Sequence, residues 1–191
     1  MNKEKKARKI EKFERLVEKY SKKRECVKIY REVTQGEANI YGVILGKSDN
    51  FLHLIENNEF RFNGEIVIPS DHFDSIQCSP YEKKIKQILV SEQHLSKSKP
   101  KRTKVDLTNW ATIFSDLMAK DIHVIVECED LKKPTFTIGP IKRIKKNSVD
   151  ILYYDPNGKL DKKTTNIKFK NITILRFKDR YSTIFRKYIK L

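Results

Sequence analysis

Long apolar runs are missing from this sequence. Nowhere do about 18 apolar residues follow one another without interruption, so no membrane-spanning helix is expected. Cysteine is scarce as well. Cys26, Cys78 and Cys128 are three, widely spaced and without a CxxC pair, which fits reduced thiols in a core better than disulfides or structural zinc. Residues 1–25 lack the apolar stretch and small-residue cleavage site of a secretory signal, so the chain is expected in the cytoplasm. Catalytic signatures are absent too. There is no Gly-rich phosphate loop, no GxSxG and no HExxH, and a non-enzymatic protein without cofactor or metal is expected. The only compact acid–histidine cluster is Asp71, His72 and Asp74; with Cys78 it could ligate a metal or support acid–base work, and its spacing also suits an ordinary turn whose Asp side chains bond the backbone, which is the reading expected here.

Acid is in short supply. The 191 residues hold 25 Asp and Glu against 41 Lys and Arg, a net charge of +16, and the imbalance is clustered. Residues 1–24 carry +7, residues 25–82 carry −6, residues 83–104 carry +7, residues 105–138 carry −3 and residues 139–191 carry +11. A uniform lysine excess is only a soluble surface, whereas a clustered one is a field that selects partners. Hydrophobic residues at 38% with 10 Phe and 8 Tyr supply enough apolar area for one or two small cores.

Apolar periodicity divides the chain into similar halves. Ile10, Phe13, Val17 and Tyr20 recur at helical spacing, giving an N-terminal basic helix over residues 1–25 whose stripe packs on a neighbour. Five short β-rich runs follow between residues 26 and 78, then a helix started by Pro80 and running to about Val90, so that the first unit spans 26–90. Residues 91–104 are polar and basic and read as a solvated linker. Residues 105–191 repeat the order of helix, five strands and helix: Thr108 is placed to cap the helix, the last helix is Arg180 to Ile189, and Tyr41-Gly42-Val43-Ile44 answers Ile138-Gly139-Pro140-Ile141. The expected class is α+β, mostly β.

The glycine in each second strand, the apolar alternation after it (Gly42 to Leu54, Gly139 to Tyr153) and the tight turn before the fifth strand resemble the Sm-like small barrel of the Sm, LSm and Hfq proteins. The family's loop Asp is Ser48 here, its strand-three Asn is Leu52, and its second motif is replaced by Pro69-Ser70-Asp71-His72 and Lys170-Asn171. The resemblance implies two tandem five-stranded small (Sm/SH3-like) barrels, each flanked by helices. It also implies RNA as ligand and assembly by pairing of a fourth strand with a fifth.

If nucleic acid is the partner, RNA before DNA, the basic second half is expected to bind it. Lys142, Arg143, Lys145, Lys146 and Asn147 surround its second-to-third-strand turn; Lys168, Lys170 and Asn171 surround its fourth-to-fifth turn. In a small barrel these turns are neighbours, and their cations would meet successive phosphates. Tyr154, or Tyr153 beside it, would supply a stacking face, and Lys99, Lys101 and Arg102 of the linker would add affinity without reading sequence. The alternative is a protein-interaction or self-assembly module in which acidic and basic halves pair, within one chain or between copies, or in which the basic surface takes an acidic protein partner. His53, alternating with Leu52 and Leu54, is expected to face outward or sit at a rim.

Overall fold

The computed structural model describes residues 3–33, 36–73, 75–92 and 102–189. Helix α1 (Lys3–Lys23) packs on the strands through buried Val17, with Phe13, Leu16 and Tyr20 around it and Phe13 stacked on Phe73; the side chain of Ile10 lies outside the described ones. Strands β1 (Cys26–Val33), β2 (Gly36–Lys47), β3 (Phe51–Asn58), β4 (Arg61–Pro69) and β5 (Ser75–Gln77) lead into helix α2 (Pro80–Ser91). Pro80 opens α2 and Ser79 caps it, accepting from the Tyr81 N–H while the Glu82 carboxylate accepts from the Ser79 N–H at 2.6 Å.

Helix α3 (Trp110–Ala119) begins the second half. Its N-cap is Asn109, one residue beyond the expected Thr108, because the Asn109 carboxamide accepts from the Thr112 N–H at 3.0 Å. Strands β6 (Val124–Cys128), β7 (Thr135–Gly139), β8 (Ile141–Ile144), β9 (Ser148–Ile151), β10 (Thr165–Lys168) and β11 (Ile174–Phe177) follow, then helix α4 (Arg180–Phe185) and a 3-10 turn, Arg186–Tyr188.

The strands form an eight-stranded antiparallel sheet in the order β5-β1-β2-β3-β4-β11-β6-β7 and a three-stranded sheet in the order β10-β9-β8. No closed barrel is present among the described residues, contrary to the expectation of two. Pro140 interrupts the strand between β7 and β8, so the chain turns there into the small sheet; backbone bonds from Leu152 N–H to Pro140 C=O and Tyr154 N–H to Ile138 C=O hold the bend. Instead of two separate units, β4 of the first half pairs with β11 of the second, Leu175 opposite Val67 and Phe177 opposite Glu65.

Alternation of side chains sends apolar residues of this junction into a core on each face. Ile66, Ile68 and Ile174 join the core of the first half with α1, while Val67, Leu175 and Phe177 join that of the second with α3. Each such side chain, fully buried, contributes about 1.5–3 kcal/mol. His53 therefore lies inside, 2% exposed. The outward face of β3 is roofed by the second half, and His53 Nε2 sits 2.8 Å from the Glu65 carboxylate. Thr103 completes this cluster, donating its N–H to both Glu65 oxygens and its hydroxyl to one. Burial alone would raise the Glu65 pKa; the bonds from His53 and Thr103 hold it below the ordinary carboxylate value. The expected solvated linker is thus packed at its C-terminal end; residues 93–101 lie outside the described ones.

Ion pairs stitch the same junction. Arg31, fully buried, donates to Glu129 at 2.5 Å and to the backbone carbonyls of His72 and Thr173. Arg176 bridges Glu56 and Glu127, and His72 Nδ1 lies 3.3 Å from Asp130. His72 therefore belongs to the contact between halves; Asp74 lies outside the described residues. Cys26 and Cys128 are buried and Cys78 half-buried, all three as free thiols.

Candidate nucleic-acid interface

The two halves build their third-strand turns alike. In the first, Ser48 N–H donates to Phe51 C=O and Ser70 N–H to Asn50 C=O; in the second, Lys145 N–H donates to Ser148 C=O and Phe169 N–H to Asn147 C=O. Each fourth-to-fifth connection is one 3-10 turn, Ser70–His72 or Phe169–Asn171. The second-strand glycines match as well. A Cβ on Gly42 would collide with the Ile55 carbonyl oxygen, and one on Gly139 with that of Leu152. Only glycine lets the third strand approach so closely.

In the second half the Phe169-to-Asn147 bond, at 3.0 Å, sets the two basic turns side by side. Lys146, Asn147, Lys168 and Lys170 are exposed and Asn171 half-buried. Lys145 is committed: its ammonium lies 2.9 Å from Asp150, which also accepts from Asn166. These bonds, Lys145 first, pull the Asp150 pKa below its ordinary value. Arg143 is exposed and opposite Asp150 in register. Lys142, also exposed, adds with Arg186 to the field acting on His123. Arg102 is exposed but tied to the first half, donating to the Leu45 carbonyl at 2.9 Å. Lys99 and Lys101 lie outside the described residues.

Tyr154 offers no stacking face. It is 1% exposed, its ring stacks on Phe185, and its hydroxyl, without a partner, is pushed up in pKa by burial. Strand alternation explains this, since the side that carries Tyr154 is covered by α4 and leaves Tyr153 toward solvent.

Shallow grooves mark the surface of the described residues. One, about 530 Å³, lies where the turns of the two halves meet, with Lys146 and Phe169 facing Asp49, Asp71 and the capped start of α3. A second, about 620 Å³, runs between β7 and β10 and includes Lys168 and Asn171. A third, about 500 Å³, lies over the junction of the halves between Phe136, Tyr153 and Tyr181, with Arg176 among its lining residues. Phe136 and Tyr153 line both of the last two. Phe136 is 55% and Tyr181 51% exposed. Nothing in the sequence singles out these rings. Phe136 shares parity with core residue Ile138, and only its place near the start of β7 puts it beyond the core.

Comparison with protein-family models, with curated proteins and with solved structures finds no match to this chain. No helix among the described residues is long and apolar enough to cross a membrane.

Proposed function

We propose that the chain binds single-stranded RNA without catalysing a reaction, with the two fastened turns of its second half as the phosphate-binding end. The observation that carries this reading is the Phe169-to-Asn147 backbone bond. It holds Lys146, Lys168 and Lys170 on adjoining turns, while the equally built turns of the first half carry Asp49 and Asp71. Ammonium groups at fixed spacing neutralise successive phosphates and release their counterions. The Sm-like resemblance supports the same reading and favours RNA over DNA; on that view each half is a small Sm-like unit whose strands remain open. A titration with single-stranded RNA at several salt concentrations tests it. Affinity is expected to fall with salt at a log–log slope of about −0.7 per phosphate contact. Absence of binding at low salt, or binding unmoved by reversing Lys146, Lys168 and Lys170 to Glu, overturns it.

A second reading, self-assembly, has an observation of its own. Inside the chain a fourth strand, β4, already pairs with a fifth, β11. Among the described residues, β10 and β5 each have one strand partner and end their sheets. Pairing of β10 of one copy with β5 of the next would repeat the internal junction. Light scattering across a salt series tests it, and a monomer under every condition removes it.

A further inference from the structure

The groove over the junction of the halves is separate from the basic turns and has a different chemistry. Its walls are aromatic and half-open: Phe136 from β7, Tyr181 from α4 and Tyr153 beyond β9. Tyr181 is held rigid by stacking on Phe185, which stacks in turn on Tyr154. Two carboxamides, Asn58 and Asn63, line the groove from the first half. Asn63 Oδ1 accepts from the Arg180 N–H at 3.2 Å, which fixes its plane.

Arg176 is held between the Glu56 and Glu127 carboxylates, so this group of three carries one negative charge and repels a phosphate. The cations stand on the flanking chain instead. Lys178 and Arg180 are exposed on either side of groove residue Asp179, and Lys159 is exposed on the turn that begins at groove residue Pro156. Aromatic walls, planar amides and a negative group inside, with cations flanking, are complementary to a nucleotide whose base points in and whose phosphates stay out. A cationic ligand would meet those flanking cations, and a duplex cannot turn its stacked bases into the groove. The volume, about 500 Å³, is within the range of pockets that hold one small ligand.

We infer that this groove is a base-binding site for single-stranded RNA, in which an unstacked base lies against Phe136 and Tyr181 beside Asn58 and Asn63. The inference rests on the RNA reading above and deepens it: the turns of the second half hold phosphates on any strand, and the groove selects single strands.

The test is fluorescence anisotropy on the full chain with a labelled single-stranded oligoribonucleotide of about 12 nucleotides and a hairpin of the same composition. Phe136→Ala and Tyr181→Ala are each expected to weaken single-strand binding about tenfold, from the loss of one stacking partner. Hairpin binding and the salt slope should stay as in the wild type, and Tyr181→Phe should restore the single-strand affinity. Both rings are more than half exposed, so both variants should stay folded; Phe136→Ala should melt as the wild type does, and Tyr181→Ala slightly lower through loss of its stack on Phe185.

Alanine variants that bind single strands as the wild type does, while Lys146→Glu with Lys170→Glu still weakens binding, overturn the groove and leave the turns standing. Equal losses for single strand and hairpin also overturn it. A wild type that binds no RNA at low salt overturns the functional reading itself, and the groove's assignment falls with it.

Discussion

The third-strand turns of the two halves have the same backbone and opposite chemistry. Asn50 and Asn147 each accept the backbone N–H that begins the following 3-10 turn, and Gly42 and Gly139 each lie under a carbonyl of the third strand. Both pairs are 97 positions apart. Around that shared frame the first half places Asp49 and Asp71, the second Lys146 and Lys170. Main-chain bonds and close approach thus specify the turn, and charge is left free to differ. This difference, which the fold does not require, is the one on which the proposed RNA reading rests.

The largest effect is expected where the halves differ most inside. Arg31 of β1 is buried against Glu129; the residue 97 positions on, Cys128, is an uncharged thiol. Glu129→Ala leaves the Arg31 guanidinium without its carboxylate and should cost about 3–5 kcal/mol in chemical denaturation. Cys128→Ala removes only a small apolar group and should cost about 1–2 kcal/mol. Equal costs would show that Arg31 reaches another acceptor or water, and that the junction does not depend on the pair.

Next come the two glycines, which test whether the frames are equivalent. Gly42→Ala and Gly139→Ala each drive a methyl into a backbone carbonyl that a strand cannot move without giving up its pairing. Each is expected to destabilise by about 3 kcal/mol, read from the same denaturation curves. A tolerated alanine at one site alone would break the equivalence of the halves.

Much of this frame is legible in the residues. Apolar periodicity places α1, the strands and α2 close to where they fall, because each element's pattern is local. What is not legible depends on partners far along the chain. Nothing in Arg61–Pro69 says that its free edge meets Ile174–Phe177, and that pairing turns the expected outward face of His53 into a core. Thr103 reads as linker and becomes a ligand of Glu65 for the same reason. In the candidate interface the basic turns can be placed from sequence, since turns announce themselves by composition. The choice between Tyr153 and Tyr154 cannot, because alternation says that they differ and not which of them α4 covers.

Charge exchange at the turns is the direct test of what their difference does. Lys146→Glu with Lys170→Glu should weaken RNA binding about tenfold or more at low salt and make the salt slope shallower by about 0.7 for each phosphate that is no longer neutralised. Asp49→Lys with Asp71→Lys should strengthen binding and steepen the slope, since both acids line the groove that Lys146 enters. Filter binding at several salt concentrations reads both. An unchanged affinity in the acid-to-lysine variant would confine recognition to the second half and sharpen the division between the two.

The effect that is smallest at neutral pH separates the halves by their acid and alkaline limbs. His123 and Cys26 occupy corresponding places, each one residue before the strand residue that pairs with the second-strand glycine. Burial keeps both uncharged by opposite routes. It lowers the His123 pKa from 6.5 to about 4, with help from the Arg186 charge, and raises that of Cys26 from 9.0 to about 12. Between pH 6.5 and 4 the unfolded chain binds a proton that folded His123 refuses, so this contribution to stability is whole above pH 6.5 and is lost as pH falls. Between pH 9 and 12 the unfolded chain releases a proton that folded Cys26 keeps, so that contribution is whole below pH 9 and is lost as pH rises. Each group gives a slope of at most about 1.4 kcal/mol per pH unit. Thermal melts across pH should show the acid limb flattened in His123→Phe and the alkaline limb flattened in Cys26→Ala, with neither variant changing the other limb. A His123 variant that keeps the wild-type slope between about pH 4.5 and 6.5 would mean that water reaches the ring and that the second half is looser at this position than the first.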